Sequence, residues 1–270
     1  MGSAPFGVLR LSRHCVYDLL RLEEQLLRKT PGRSWLVVND GVKEPTVVMG
    51  ISGKKEDLVD SEAARRKGVG LVKRFTGGGT VVLDENSILV SLICEAADAP
   101  DVPELFPRAL MRWSKDFYDP VFSAHGDFGL SETDYTFGDL KFGGNAQYIS
   151  KRKFLHHTSF LWDYDPQRMK CLLHPPKEPE YRQGRGHLDF ICRLRDHYGG
   201  GREAFLGSLT GALDARGLEW EDIGLEAVRS MLSQAGGAGE LEVLGRCRAR
   251  RGFPCDMSKP RSEGRASGGR

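Results

Sequence analysis

The 270-residue sequence has no apolar run long enough to cross a membrane. Its longest, around residues 88–94, is interrupted by Ser91 and falls far short of the roughly 18 residues a spanning helix needs. A disulfide framework is also missing. Six cysteines are scattered without a CxxC pair, which excludes a dense disulfide scaffold and fits reduced thiols in a reducing compartment. Charge is nearly balanced, with 39 Lys and Arg against 37 Asp and Glu, for a formal net charge of +2. Three familiar loops are absent: no GxxxxGK[ST], no GxSxG elbow, and Gly68-Val69-Gly70 lacks the third glycine of GxGxxG. P-loop, serine-hydrolase and dinucleotide-binding readings are thereby excluded. A hydrophobic share of 40% against 28% charged residues excludes disorder along the whole chain.

What is abundant is glycine, with 33 residues against about 7% in average proteins. Arginine is concentrated at the end. Residues 245–270 carry eight basic side chains against Asp256 and Glu263, a net +6 that leaves −4 on residues 1–244. This Gly- and Ser-rich segment has no apolar periodicity, so residues 1–235 read as one catalytic-size domain and 236–270 as a solvated, disordered tail. The tail alone does not make a nucleic-acid-binding protein. At the other end, Phe6 stands where a myristoylation signal wants Ser or Thr. Arg10 and Arg13 precede the first acid, Asp18, as in a transit peptide, but Asp18, Glu23 and Glu24 belong to an amphipathic helix. A cytoplasmic or a mitochondrial location both fit.

Apolar spacing predicts a helix over 13–28 capped by Ser12, strands over 35–38 and 46–49, and a short helix over 61–67 capped by Ser61. Strands follow at 69–73, 80–83 and 88–94, the last two as a hairpin around Asp84-Glu85-Asn86. A helix from Pro103 is expected to stop at Asp119-Pro120, and strands over 140–149 and 154–162 to pair across Ser150-Lys151-Arg152-Lys153. Helices are expected over 165–173, 187–197, 202–215 and 225–234. Strict βαβα alternation is missing, which favours an α+β fold with a mixed β-sheet and flanking helices.

Three segments carry chemistry. In the first, a strand delivers Lys73 and Arg74 to Thr76-Gly77-Gly78-Gly79-Thr80, and a strand leaves again through Val81-Val82-Leu83-Asp84. Three residues without Cβ atoms let backbone amides approach an anion, and Arg74 adds charged donors. In the second, Gly138 to Gln147, Lys141 sits in an apolar strand just before Gly143-Gly144-Asn145-Ala146. A lysine there suits negative charge developing on a carboxylate or phosphate oxygen. In the third, 154–162, adjacent His156 and His157 on a strand face opposite ways and cannot share a metal, so no metal site is assigned.

Taken in order, these segments resemble the lipoate-protein ligase branch of the biotin/lipoate protein ligase superfamily. Its RRxxGGG-x-V-xx-D loop is matched by Lys73 to Asp84 with Lys for the first Arg, and its D-x-K-[IV]-x-G-[NS]-A-Q by Asp139 to Gln147. Its L-x-H-G-[ST]-L-L is approximated by Leu155 to Leu161, and Glu24-Gln25-Leu26-Leu27 with residues 35–50 resembles its opening helix and strands; the likeness covers roughly 10–195. The resemblance implies a mixed sheet that cradles a linear acyl chain and a two-step reaction. Lipoate or octanoate with ATP and Mg²⁺ gives an acyl-adenylate, which a lysine on a lipoyl-carrier domain of 2-oxoacid dehydrogenase or glycine cleavage proteins then attacks. It assigns Lys141 to the acyl carbonyl and α-phosphate. It places Arg74, Thr76, Gly77, Gly78, Gly79 and Thr80 along the channel, Asp134 at the nucleotide, and Gly144, Asn145, Ala146 and His157 at the wall.

Two departures stand out. Leu83 replaces a histidine that many relatives carry, and Thr158 replaces the glycine of H-G-[ST], where a β-branched side chain is expected to crowd the pocket. Nothing beyond Asp163 matches the accessory domain some ligases carry, which leaves a partner protein or a single-domain branch open. Two rival readings share the scaffold. One is an octanoyl- or lipoyltransferase using an acyl thioester through Cys94 or Cys171; the other is a descendant that binds the acyl carrier without turnover.

Overall fold

A computed structural model describes residues 4–102 and 104–235 together with the backbone of Arg248–Ala249. The bulk of the tail expected to be disordered therefore lies outside the described residues. The strands are β1 (Phe6–His14), β2 (Trp35–Val42), β3 (Thr46–Met49), β4 (Gly70–Lys73), β5 (Val81–Leu83) and β6 (Ser87–Glu95) in the first half. They continue with β7 (Phe128–Ser131), β8 (Asp134–Phe137), β9 (Leu140–Ile149), β10 (Lys153–Leu161), β11 (Trp220–Asp222) and β12 (Arg248–Ala249). Helices are α1 (Val16–Lys29), α2 (Lys55–Leu58), α3 (Ser61–Arg66), α4 (Pro107–Phe122), α5 (Pro166–Met169), α6 (His187–Phe190), α7 (Gly201–Asp214) and α8 (Leu225–Ala235).

Eight strands form one sheet in the order β11-β1-β2-β6-β10-β9-β8-β7, and a second sheet runs β12-β4-β3-β5. Both are mixed: β1 lies parallel to β2 and β11, β3 parallel to β4, and the other pairs are antiparallel. The α+β expectation with flanking helices holds.

Side-chain alternation assigns the faces. On β6, Ile88, Val90, Leu92 and Cys94 join the core under α4 and α7, while Leu89 and Ile93 join the core under α1 and α8. A strand buried on both faces reads as a continuous apolar run, which is why β6 looked like the longest one in the chain. The α4 side is aromatic, with Phe122 5.4 Å from Phe160 and 4.9 Å from Phe142.

Several expected elements differ. β1 was not expected, and α1 starts at Val16 with no side-chain cap, because Ser12 belongs to the strand. The cap of α3 is Asp60, whose carboxylate accepts from the Glu62 and Ala63 amides, not Ser61. The segments at 80–83 and 88–94 are strands but not a hairpin: β5 pairs with β3 and β6 with β2 and β10, so the Asp84-Glu85-Asn86 turn passes between sheets. Helix α4 begins at Pro107, not Pro103, and runs through Pro120, since Val121 and Phe122 are buried and hold its last turn against the core. The helices expected over 165–173 and 187–197 shrink to α5, α6 and one 3₁₀ turn, and β7 and β8 form where no element was expected.

Candidate functional site

The glycine loop between β4 and β5 is built around Arg74. That residue is 4% exposed, and its guanidinium donates to the Gly77 carbonyl at 2.9 Å, the Gly79 carbonyl at 2.8 Å and the Val48 carbonyl at 3.4 Å. A trans peptide carries its C=O and N–H on opposite sides. Holding those two carbonyls inward therefore turns the N–H groups of Gly78 and Thr80 away from the cation, the arrangement an anion cradle needs. Arg74 thus shapes the loop. The loop also docks on the end of β3, where the Ile51 amide donates to the Thr76 carbonyl at 3.0 Å. Gly78 has φ +106°, and a Cβ there would lie 2.7 Å from the Arg74 Nη2 and 3.1 Å from the Ala146 Cβ. The first and second motifs are therefore in contact.

Lys141 enters from β9 at a register slip. Tyr135 pairs with Gly143 but Thr136 pairs with Lys141, so β9 carries one extra residue there, and such bulges re-aim side chains. The Lys141 side chain runs over Gly144, with Nζ 3.2 Å from where a Cβ would stand, and its ammonium pairs with Asp134 at 2.9 Å. The backbone is pinned too, since the Cys192 amide donates to the Lys141 carbonyl at 2.9 Å. Asp134 is 5% exposed and its second oxygen accepts from the Tyr181 hydroxyl at 2.8 Å. Burial and the Asp134 carboxylate raise the Tyr181 pKa and keep it a donor.

The two histidines of β10 do face opposite ways. His156 is fully buried on the α4 side, within reach of the Tyr135 hydroxyl and Gln147 Nε2, both at 3.1 Å. Burial, with a further push from His157, lowers its pKa from 6.5 to about 3. An unfolded chain thus takes up a proton that the fold refuses, so stability falls as pH drops from about 6.5 towards about 3. In a His156→Gln variant, urea-unfolding curves collected across that window should show a shallower acid-side loss than the parent. An unchanged slope would show that His156 does not carry it.

On the other face, His157 Nδ1 lies 3.2 Å from Glu23 Oε2, and Nε2 3.3 Å from the Thr76 hydroxyl of the glycine loop. Glu23, 1% exposed on α1, also accepts from Ser91 at 2.5 Å. Thr158 does not crowd this face. Its side chain turns to the α4 side and its hydroxyl donates to Asn145 Oδ1 at 2.6 Å, while Asn145 donates to the Thr133 carbonyl at 3.0 Å. Asn145 therefore fixes the turn ahead of Asp134.

The fold gathers Thr76, Gly78, Ala146 and His157 in one set of contacts and Asp134, Lys141 and Gly144 in another on the same hairpin. Gly77, Gly79 and Thr80 complete the loop, with Gly79 exposed and the other two half-buried. Glu23 and Tyr181 were not expected. Their partners lie 134 and 47 residues away, and no local spacing announces such pairs. A cleft of about 500 Å³ between α1 and α8, lined by Asp18, Arg21, Gln25 and Arg229 among others, contains no residue of the three chemistry-bearing segments.

A family model, lipoyl protein ligase A/B catalytic domain, matches residues 16–205. Inactive lipoate–protein ligase 2 of Plasmodium falciparum is 30% identical over 241 residues, covering 68% of this chain and 62% of that protein. The chain thus spans less than two thirds of that relative's length. Among solved structures, a bi-partite lipoate protein ligase studied with its E2 lipoyl domain from Thermoplasma acidophilum superposes with TM-score 0.71 at 17% identity, over 85% of this chain and 91% of that one. A lipoate-protein ligase A bound with ATP gives TM-score 0.66 at 17% identity, over 86% and 94%. At such identities the likeness is one of fold.

Proposed function

We propose, for a chain that belongs to the lipoyl protein ligase A/B catalytic-domain family, that it is an ATP-dependent lipoate–protein ligase. In this reading it activates lipoate or octanoate to the acyl-adenylate and passes the acyl group to a lysine of a lipoyl-carrier domain. The carriers are those of 2-oxoacid dehydrogenases or glycine cleavage proteins. The observation that carries the reading is the Lys141 ammonium, held 2.9 Å from Asp134 beside the opening that Gly144 leaves.

Activating a carboxylate brings one anion up to another, and donors fixed in advance offset that repulsion. Lys141 would exchange Asp134 for the acyl and α-phosphate oxygens, and the outward amides of Gly78 and Thr80 would receive phosphate oxygens. Mg²⁺ enters with the nucleotide, taking most of its ligands from phosphates and water. The ATP-bound relative supports a nucleotide on this fold, and the relative studied with an E2 lipoyl domain supports a carrier as partner.

A thioester-dependent transfer through a cysteine has less support. Burial raises the Cys94 and Cys171 thiols, which disfavours the thiolate such a shuttle needs. A Cys171→Ala variant is expected to keep parental activity with either acyl donor, measured as carrier acylation; its loss would favour the shuttle. The similarity to a relative named inactive motivates the binding-only reading. Intact-mass spectrometry of a lipoyl-carrier domain separates all three. A mass gain is expected with lipoate and Mg-ATP; gain only with an octanoyl thioester would indicate the transferase, and none with either donor the binding-only descendant. Among the described residues no helix is long and apolar enough to cross a membrane.

A further inference from the structure

We propose that His157, backed by the buried Glu23 carboxylate, is the base that takes a proton from the carrier's lysine in the transfer step; this rests on the ligase reading above. A primary amine is mostly protonated near neutral pH, so it must lose a proton before it can attack an acyl-adenylate. Lys141 cannot serve. An ammonium engaged with oxygens of the adenylate has no lone pair to offer.

The hydrogen bonds around His157 order its ring. A carboxylate can only accept, so Glu23 Oε2 at 3.2 Å takes the Nδ1–H, while its other oxygen is filled by the Ser91 hydroxyl at 2.5 Å. That leaves the Nε2 lone pair directed at the glycine loop, where the Thr76 hydroxyl, 3.3 Å away, donates to it. The arrangement has the parts of a base held by an orienting acid. The His157 side chain is 12% exposed and Glu23 1%, so the ring reaches the site while its partner stays dry. Position agrees. His157 pairs with Ala146 across the hairpin, and Ser159, two residues on, pairs with Gly144, over which Lys141 lies. Two strand residues place the groups about 7 Å apart on one face, a separation that fits an acyl-phosphate between them.

In the step, the lysine ammonium gives one proton to Nε2, which releases its bond from Thr76. The freed lone pair forms the N–C bond at the acyl carbonyl, the C–O bond to the α-phosphate breaks, and AMP leaves with that electron pair. The second nitrogen proton passes to water, and the imidazolium is balanced by Glu23 until it too returns its proton to water.

The test separates the half-reactions: acyl-AMP formation from lipoate and Mg-ATP, and transfer from synthetic lipoyl-AMP to a lipoyl-carrier domain. His157→Gln should slow transfer by about 10²-fold, a usual contribution of a general base, and slow acyl-AMP formation far less. Glu23→Gln should show the same asymmetry more weakly, and added imidazole should restore part of the transfer lost in His157→Ala. Transfer within about threefold of wild type in His157→Gln would overturn the inference, as would equal loss of both half-reactions without imidazole rescue. Wild-type protein that neither forms acyl-AMP nor transfers from synthetic lipoyl-AMP would instead defeat the ligase reading itself.

Discussion

Lys141→Ala is expected to lower acyl-adenylate formation by about 10²–10³-fold, the usual loss when one fixed donor to developing charge is removed. Three features aim the side chain: the β8–β9 register slip, the bare Gly144 beneath it, and the Cys192 amide on its own carbonyl. Removal also leaves Asp134, 5% exposed, with Tyr181 as its remaining side-chain partner. An uncompensated buried carboxylate destabilises the fold, here by about 1–3 kcal/mol. Activity and stability must therefore be separated. Adding Asp134→Asn should recover most of the lost stability without recovering activity. Lys141→Arg should not rescue, since a planar fork cannot follow the path over Gly144 that a slender ammonium takes. Single-turnover acyl-AMP yield with parallel thermal melts reads both quantities; a Lys141→Ala protein that forms acyl-AMP at near the parental rate would remove the lysine from the chemistry.

The second large effect is expected from Gly50→Ala, a residue outside all three motifs. A Cβ at Gly50 would stand 2.2 Å from the Gly78 carbonyl oxygen. The obstacle is backbone, so nothing can rotate away. Either the end of β3 or the glycine loop must shift, and the loop is the less buried of the two. Overpacking of this kind costs about 1–3 kcal/mol, and displacing the Gly78–Gly79 peptide disturbs the carbonyls that Arg74 gathers. Misplacing a catalytic element by about 1 Å can cost about 10²-fold, so a loss of that order in acyl-AMP formation is expected, with the melt only modestly lowered. Gly211→Ala on α7, where a Cβ meets nothing within 4 Å, should leave activity unchanged. Full activity in Gly50→Ala would show that the loop's resting shape is not the working one.

The sequence was most legible where chemistry and local geometry coincide. Three glycines after a cation, and a lysine inside an apolar strand before two more glycines, mark positions that a packed core would not otherwise choose. The opposite facings of His156 and His157 followed from strand period alone. What failed depended on partners distant in the chain. Thr158 looked obstructive although the same alternation turns it away from the His157 face; what the sequence did not show is its partner there, Asn145 across the hairpin. The 81–83 and 87–95 strands looked like a hairpin because a turn between two apolar runs has the same local signature whether the runs pair or part to different sheets. Arg74 drew attention by type alone, and its environment changes the reading: charge suggested an anion ligand, while its burial and carbonyl partners make it the frame of the loop.

The central claim is that this site activates a carboxylate with ATP, and lipoate-dependent exchange of labelled pyrophosphate into ATP tests it most directly, because no carrier is needed. The account predicts exchange that requires lipoate or octanoate and is lost in Lys141→Ala. Absence of exchange from folded wild-type protein that still acylates a carrier from an octanoyl thioester would contradict it.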